Sequence, residues 1–336
     1  ANTPGAGLAG TAVSANGSGS VLIDVNAGDL LVNADIVSST GHITLKAQTG
    51  ISFAAGSDVL TASTGTVSMD AEGGDLTMSG TASITATNSS VRLNASASVT
   101  LGQVIATNVS VVADTGAIVN AVGSSKNVTA TNLRLAADDA IGAADRHLTT
   151  NVATLTALST GTNSAGIYLT EDDAVSVNTV TVSVTEFSST ATTGTVTDAS
   201  QSDLVTGNNG NIVLVASGSV TLNDGVDVVS PVEDNTDGKA ISAHGSGSIL
   251  VQALGATSDV TILSDILSAS GQISLKAARN ISLAASADVV TASTGTVSVD
   301  AEGGDLSMTG TSAVTATNSS ARLNAFGSVT LGQVIA

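Results

Sequence analysis

Polar and apolar residues alternate in short bursts along this chain, and the bursts recur at a regular interval. HITLKA at 42–47, TVSMDA at 66–71 and SVRLNA at 90–95 follow one another at a constant spacing of 24. NVSVVA at 108–113 follows after 18, and NLRLAA at 132–137 after another 24. A period of two marks a strand with one face turned inward. Stacked, the bursts give three apolar columns. The first is Ile43, Val67, Val91, Val109 and Leu133, and the second is Leu45, Met69, Leu93, Val111 and Leu135. The third is alanine throughout: Ala47, Ala71, Ala95, Ala113 and Ala137.

Two further apolar pairs fall within each period. Leu76/Met78 matches Val99/Leu101, and Ile84/Ala86 is expected to match Leu60/Ala62 before it and Val104/Ala106 after it. Gly, Asn, Asp and Ser gather between the pairs, as turns require. Three short strands per turn of about 24 residues, each stacking on its equivalent in the next turn, predict an all-β parallel β-helix, or β-solenoid. Thr, Val, Ser and Gly make up about half of the chain, and all disfavour helix.

A longer repeat contains the shorter one. Residues 41–106 align without a gap to residues 271–336, with 48 of 66 positions identical. SANGSGSVLI at 14–23 matches SAHGSGSILV at 242–251. The chain therefore reads as one continuous solenoid, 1–336, built on a repeat unit of about 230 residues. A first copy covers 1–230 and a partial second copy covers 231–336. The pattern runs on at both termini, so the expectation is that further copies of the repeat continue it, covalently or by head-to-tail stacking. Residues 186–209 are polar and turn-rich, without clear inward alternation. They are expected to form a protruding loop, with lateral self-association through it as one use.

Composition narrows the functions. With 9 Lys+Arg against 28 Asp+Glu the net charge is -19, which argues against binding nucleic acid through its phosphates. Aromatics are four, Phe53, Tyr168, Phe187 and Phe326, too few for the stacking platforms of a typical sugar-binding groove. Cysteine is absent, which excludes disulfides, thiol nucleophiles and zinc-finger spacing. No stretch approaches the roughly 20 apolar residues of a membrane helix, so no membrane span is expected.

The densest candidate chemistry is DAEGGDL, present twice. Asp70, Glu72 and Asp75, and again Asp300, Glu302 and Asp305, lie beside paired glycines and are the calcium candidates of the chain. Against calcium, GGDLTMSGT lacks the middle glycine and the aspartate of the β-roll nonapeptide. Alternation offers a plainer reading. If Val67, Met69 and Ala71 point inward, Ser68, Asp70 and Glu72 point outward onto a solvated face. The outward column Lys46, Asp70, Asn94, repeated as Lys276, Asp300, Asn324, keeps like charges apart at strand spacing. No cofactor is expected unless calcium binds there.

Other acidic clusters, among them Glu171-Asp172-Asp173 and Glu233-Asp234-Asn235, read as turn tips. Glu171-Asp172-Asp173 is where paired catalytic carboxylates would be sought. A serine–histidine triad would rest on His147, since His42 becomes Gln272 and His244 corresponds to Asn16. No catalytic residue is assigned, and the chain is expected not to be an enzyme.

The strings GHITLKA, NLRLAADDAIGAAD, VTLGQVIATNVSVVADTGAI and VTDASQSDLVTGNNGNIVLVASGSVTLNDG resemble giant tandem-repeat bacterial surface proteins related to the filamentous-haemagglutinin-type β-helix family. The resemblance spans essentially the whole chain. It implies a right-handed parallel β-helix, export to the cell surface or beyond, and a role as filament, stalk, matrix fibre or adhesin. It carries over no catalytic or binding residue. Three expectations follow: a structural segment of an extracellular filament, an adhesin gripping a glycan or a partner cell, or a β-helix polysaccharide-active enzyme. The scarcity of aromatics ranks the first above the others.

Overall fold

The computed structural model describes residues 10–161, 165–226 and 238–336. The cluster Glu233-Asp234-Asn235 and the expected copy boundary at 230/231 lie outside the described residues. Among those described, every element is a strand, and no helix is long and apolar enough to cross a membrane. The chain divides into two units, Ala1–Ala137 with Thr181–Ala199, and Asp138–Val180 with Ser200–Ala336. Each is a parallel β-solenoid with three ladders.

In the first unit, ladder 1 stacks Val21–Val25, Ile43–Ala47 and Val67–Ala71, then the C-terminal parts of Ser83–Ala95, Gln103–Ala113 and Val128–Ala137. Its register is the one read from the sequence: Ile43 pairs with Val67, Val67 with Val91, Val91 with Val109 and Val109 with Leu133. Ile43, Leu45, Ala47, Val67, Met69, Ala71, Val91, Leu93 and Ala95 are all 0% exposed. Burial of each Val or Leu contributes about 1.5–3 kcal/mol, and strand pairing satisfies the backbone that burial would otherwise orphan. Ladder 2 stacks Leu30–Val32, Ile51–Phe53, Leu76–Met78, Val99–Leu101 and Ile118–Asn120. Phe53 is the one aromatic buried in the core among the described residues.

Ladder 3 departs from the expected register. Ile84 pairs with Val59 rather than Leu60, and Ala86 with Thr61 rather than Ala62. The expected match to Val104 and Ala106 stands. The cause lies in DAEGGDL. Ala47 to Ile51 is a step of four, whereas Ala71 to Leu76 is a step of five. The extra turn residue displaces the following strand by one. Val59 to Val67 is a step of eight and Ile84 to Val91 only seven, so the period of ladder 1 is restored and conceals the slip. In that turn a Cβ on Gly73 would lie 2.7 Å from the Gln48 carbonyl oxygen, and one on Gly303 would lie 2.5 Å from that of Ala278. The paired glycines let one turn rest on the turn beneath it.

A second device shapes the corner from ladder 3 to ladder 1. Thr61 donates its hydroxyl to the Gly41 carbonyl at 2.7 Å, as Ser38 does to Gly19. The second unit repeats both, with Thr291 to Gly271 and Ser268 to Gly247, each at 2.7 Å.

In the second unit, ladder 1 stacks Ile167–Glu171, Ile212–Ala216, Ile249–Ala253, Ile273–Ala277, Val297–Ala301 and Ala321–Ala325. The last four begin at positions 249, 273, 297 and 321, the same even spacing as Ile43, Val67 and Val91. Ile167 and Ile212 pair across a much longer stretch, because that coil contains the excursion Val180–Gln201. Residues 186–209, expected as a protruding loop, hold the end of strand Val180–Phe187, all of Thr193–Gln201, and Leu204–Thr206. The first two strands form a two-stranded hairpin.

Candidate functional site

The outward side of ladder 1 in the first unit carries the column Leu22, Thr44, Ser68, Arg92, Ser110, Arg134. Period-two alternation makes this the wet face, and every residue of the column but Leu22 is polar to match. Yet Thr44 and Ser110 are 0% exposed, Ser68 1% and Arg134 5%. The hairpin covers them. Thr44 Oγ1 accepts from the Phe187 N–H at 2.9 Å. Thr66 Oγ1 accepts from the Thr185 N–H at 3.1 Å and donates to the Thr185 carbonyl at 2.6 Å. Ser68 donates to Glu186 at 2.7 Å, Arg92 Nε to Asp198 at 2.9 Å, and Arg134 Nε to the Ala199 carbonyl at 3.1 Å. Lys46 pairs with Glu186 at 2.9 Å. Near the hairpin tip, Phe187 and Val196 share a cleft of about 320 Å³ with Leu22, Asp24, Lys46 and Glu186.

The electrostatics follow the docking. Burial opposes ionisation of Glu186, but hydrogen bonds from Lys46 and Ser68 and the charges of Lys46 and Arg92 outweigh it, holding the carboxyl below its ordinary value. Burial likewise pulls Lys46 down, and the Glu186 hydrogen bond with the charges of Glu186, Asp70 and Glu72 raises it overall. A depressed acid stabilises the fold above its unfolded value near 4.3 and loses that contribution as pH falls through the folded one. A raised base stabilises below its unfolded value near 10.4 and loses it as pH rises through the folded one. The pair therefore holds the hairpin most firmly between about pH 5 and pH 10. For so partly exposed a pair the contribution is about 1 kcal/mol or less. The melting-temperature difference between the wild type and Glu186→Gln should be a few degrees across that window and shrink as pH falls below about 4. A difference that persists unchanged into acid would show that the pair does not hold the strap.

The calcium candidates are dispersed among structural tasks. Asp70 pairs in register between Lys46 and Asn94 and accepts from Asn94 at 3.0 Å. Asp75 accepts the Ser98 N–H at 2.9 Å and lines a shallow hollow with Asp29, away from Asp70 and Glu72. In the second copy Asp300 accepts from Asn324 at 2.7 Å and Arg322 at 3.2 Å, and Asp305 from the Ser328 N–H at 2.7 Å. Glu302 follows Asp300 at the turn, and no group of three or more His, Asp or Glu suited to a metal occurs among the described residues.

Asp75 belongs to a recurrent arrangement. An Asp or Asn at or just before the start of a strand accepts the N–H at the equivalent point of the next coil. Asp29 does so to Gly50, Asp259 to Asn280 and Asn280 to Asp305 in ladder 2. Asp35 to Asp58, Asp58 to Ser83, Asp265 to Asp288 and Asp288 to Ala313 do so in ladder 3. The signal was present in the sequence as an acidic residue directly preceding the apolar pair: Asp29-Leu30, Asp58-Val59, Asp75-Leu76, Asp288-Val289. Eight of the chain's 28 acidic residues, Asp305 among them, thereby stitch coils together.

Glu171-Asp172-Asp173 does not converge on a cleft. Glu171 lies inside the solenoid, in register with Ala216, in the column that holds alanine in the later coils. It is 0% exposed and accepts from the Thr150 hydroxyl at 2.6 Å, the Val152 N–H at 3.1 Å and the Asp173 N–H at 3.2 Å. Burial pushes its carboxyl above the ordinary value, against the pull of those hydrogen bonds. A raised acid stabilises the fold below its unfolded value and loses that contribution as pH rises through the folded one. Glu171→Gln keeps an acceptor without the charge. Its melting temperature relative to wild type should rise from pH 4 to pH 8, whereas Glu171→Ala, which orphans the Val152 N–H, should destabilise at both. His147 contacts the Thr170 hydroxyl at 2.9 Å and lies 5.9 Å from the Tyr168 ring, centroid to centroid.

No family model, curated protein or solved structure matches this chain. The sequence pointed to the Lys46–Asp70–Asn94 column of the strapped face but not to its cover. Lys46 turns to Glu186 on the hairpin rather than to Asp70.

Proposed function

We propose that this chain is a structural segment of a repetitive extracellular protein that forms a filament, stalk or matrix fibre. One observation carries the reading. The second copy rebuilds the ladders of the first with the same register, the same displaced turn and the same hydroxyl-to-glycine corner. A coil that buries its neighbour with identical chemistry extends without limit by adding copies. Export and the bacterial cell surface come from the family resemblance, and the cysteine-free composition agrees with them.

Electron microscopy of the native material tests the reading. Uniform thin fibres, with no signal on a glycan array, are expected. A specific glycan hit on a non-fibrous protein would instead favour the adhesin.

A further inference from the structure

We infer that the outward face of ladder 1 in the second unit is a docking site for the hairpin Val180–Gln201 of a second copy of this chain. The inference names a partner within the fibre reading and rests on it.

The face is a near-duplicate of one whose occupant is known. Leu22, Thr44, Ser68 and Arg92 in the first unit become Leu250, Ser274, Ser298 and Arg322 in the second, paired in the same register. Lys46, Asp70 and Asn94 become Lys276, Asp300 and Asn324 without change. The side chains that bind the hairpin's two carboxylates, Lys46, Ser68 and Arg92, are thus present again as Lys276, Ser298 and Arg322. The cover is not. Thr44 and Ser68 are sealed, while Ser274 and Ser298 are only half-buried, although both lie in coils with a neighbour on each side.

The repeated arginine registers the difference. Arg92 binds Asp198 of the hairpin at 2.9 Å, whereas Arg322 folds onto Asp300 of its own face at 3.2 Å. At the tip end, Phe187 shares a cleft with Leu22 in the first unit. The corresponding Leu250 borders an open groove of about 230 Å³ with Val213, Ile249 and Ser274. A cationic pair, a hydroxyl row and an apolar notch are arranged as the hairpin's Glu186, Asp198 and Phe187 require. A hairpin already bound in its own unit competes with binding elsewhere, so apparent affinity is reduced by the fraction of hairpins free.

That competition supplies the test. In Lys46→Glu/Arg92→Glu the hairpin is repelled from its own face and becomes free for another. Sedimentation velocity should then show self-association about tenfold tighter than wild type. Adding Lys276→Glu/Arg322→Glu should abolish the gain. Far-UV circular dichroism checks the fold, and the milder set Lys46→Gln/Arg92→Gln, with and without Lys276→Gln/Arg322→Gln, serves if the reversals disturb it. A double variant no more associated than wild type would overturn the inference. So would a quadruple variant that associates as strongly as the double. The second result is also the one expected from end-to-end stacking alone, and it would leave the fibre reading intact.

Discussion

Val67→Asp should lower the melting temperature of the first unit by about 10 °C or more, or prevent it from folding. Val67 is 0% exposed and stands between Ile43 and Val91, each paired with it through the backbone. A carboxylate there has apolar neighbours above and below and no cation. An uncompensated buried charge costs about 3–5 kcal/mol, among the largest effects a single substitution has. Val297→Asp, in the same column of the second copy, should behave alike. Asp70→Asn, three residues away on the outward side, should change stability by well under about 1 kcal/mol. Circular dichroism melts of the three variants check the alternation directly. A harmless Val67→Asp would place that residue on the wrong side of the strand.

Gly41→Val should cost about 3 kcal/mol or more, for a different reason. A Cβ at Gly41 would overlap the Gly19 carbonyl oxygen in the coil below, the same oxygen that accepts from Ser38. The obstacle is backbone, which no rotamer change relieves, so the coils would have to separate at that corner. Gly271→Val meets the Gly247 carbonyl in the same way. Gly17 provides the contrast. It has φ +62° and nothing within 4 Å of its would-be Cβ, so Gly17→Ala should cost only the left-handed backbone penalty of about 1–2 kcal/mol. Urea titrations of Gly41→Val and Gly17→Ala would separate the two mechanisms. Equal losses would deny the close stacking of Gly41 on Gly19.

Ladders 1 and 2 were legible because a solenoid prints its core into the sequence. Strand period and coil period coincide in Ile43, Val67 and Val91, and alternation alone assigns their faces. Ladder 3 was misregistered by one residue because the insertion in Glu72–Asp75 is cancelled before Val91, and a constant coil spacing cannot see a compensated slip. The hairpin escaped for the opposite reason. Thr193–Gln201 is largely exposed, and polar groups on the solenoid hold it through Glu186 and Asp198. It therefore has little inward pattern to display. Glu171 was readable and was passed over. Aligning Ile167, Leu169 and Glu171 with Ile212, Leu214 and Ala216 places it in the alanine column, inside the coil.

The stacking of equivalent residues in successive coils underlies the whole architecture, and it is open to one direct measurement. The chain has no cysteine, so Lys276→Cys/Asp300→Cys can be spin-labelled without background. In-register parallel neighbours lie about 4.8 Å apart at the backbone. The continuous-wave spectrum of the double-labelled protein should then be strongly broadened by spin–spin interaction, compared with the sum of the two single-labelled spectra. A double-labelled spectrum equal to that sum would contradict the solenoid.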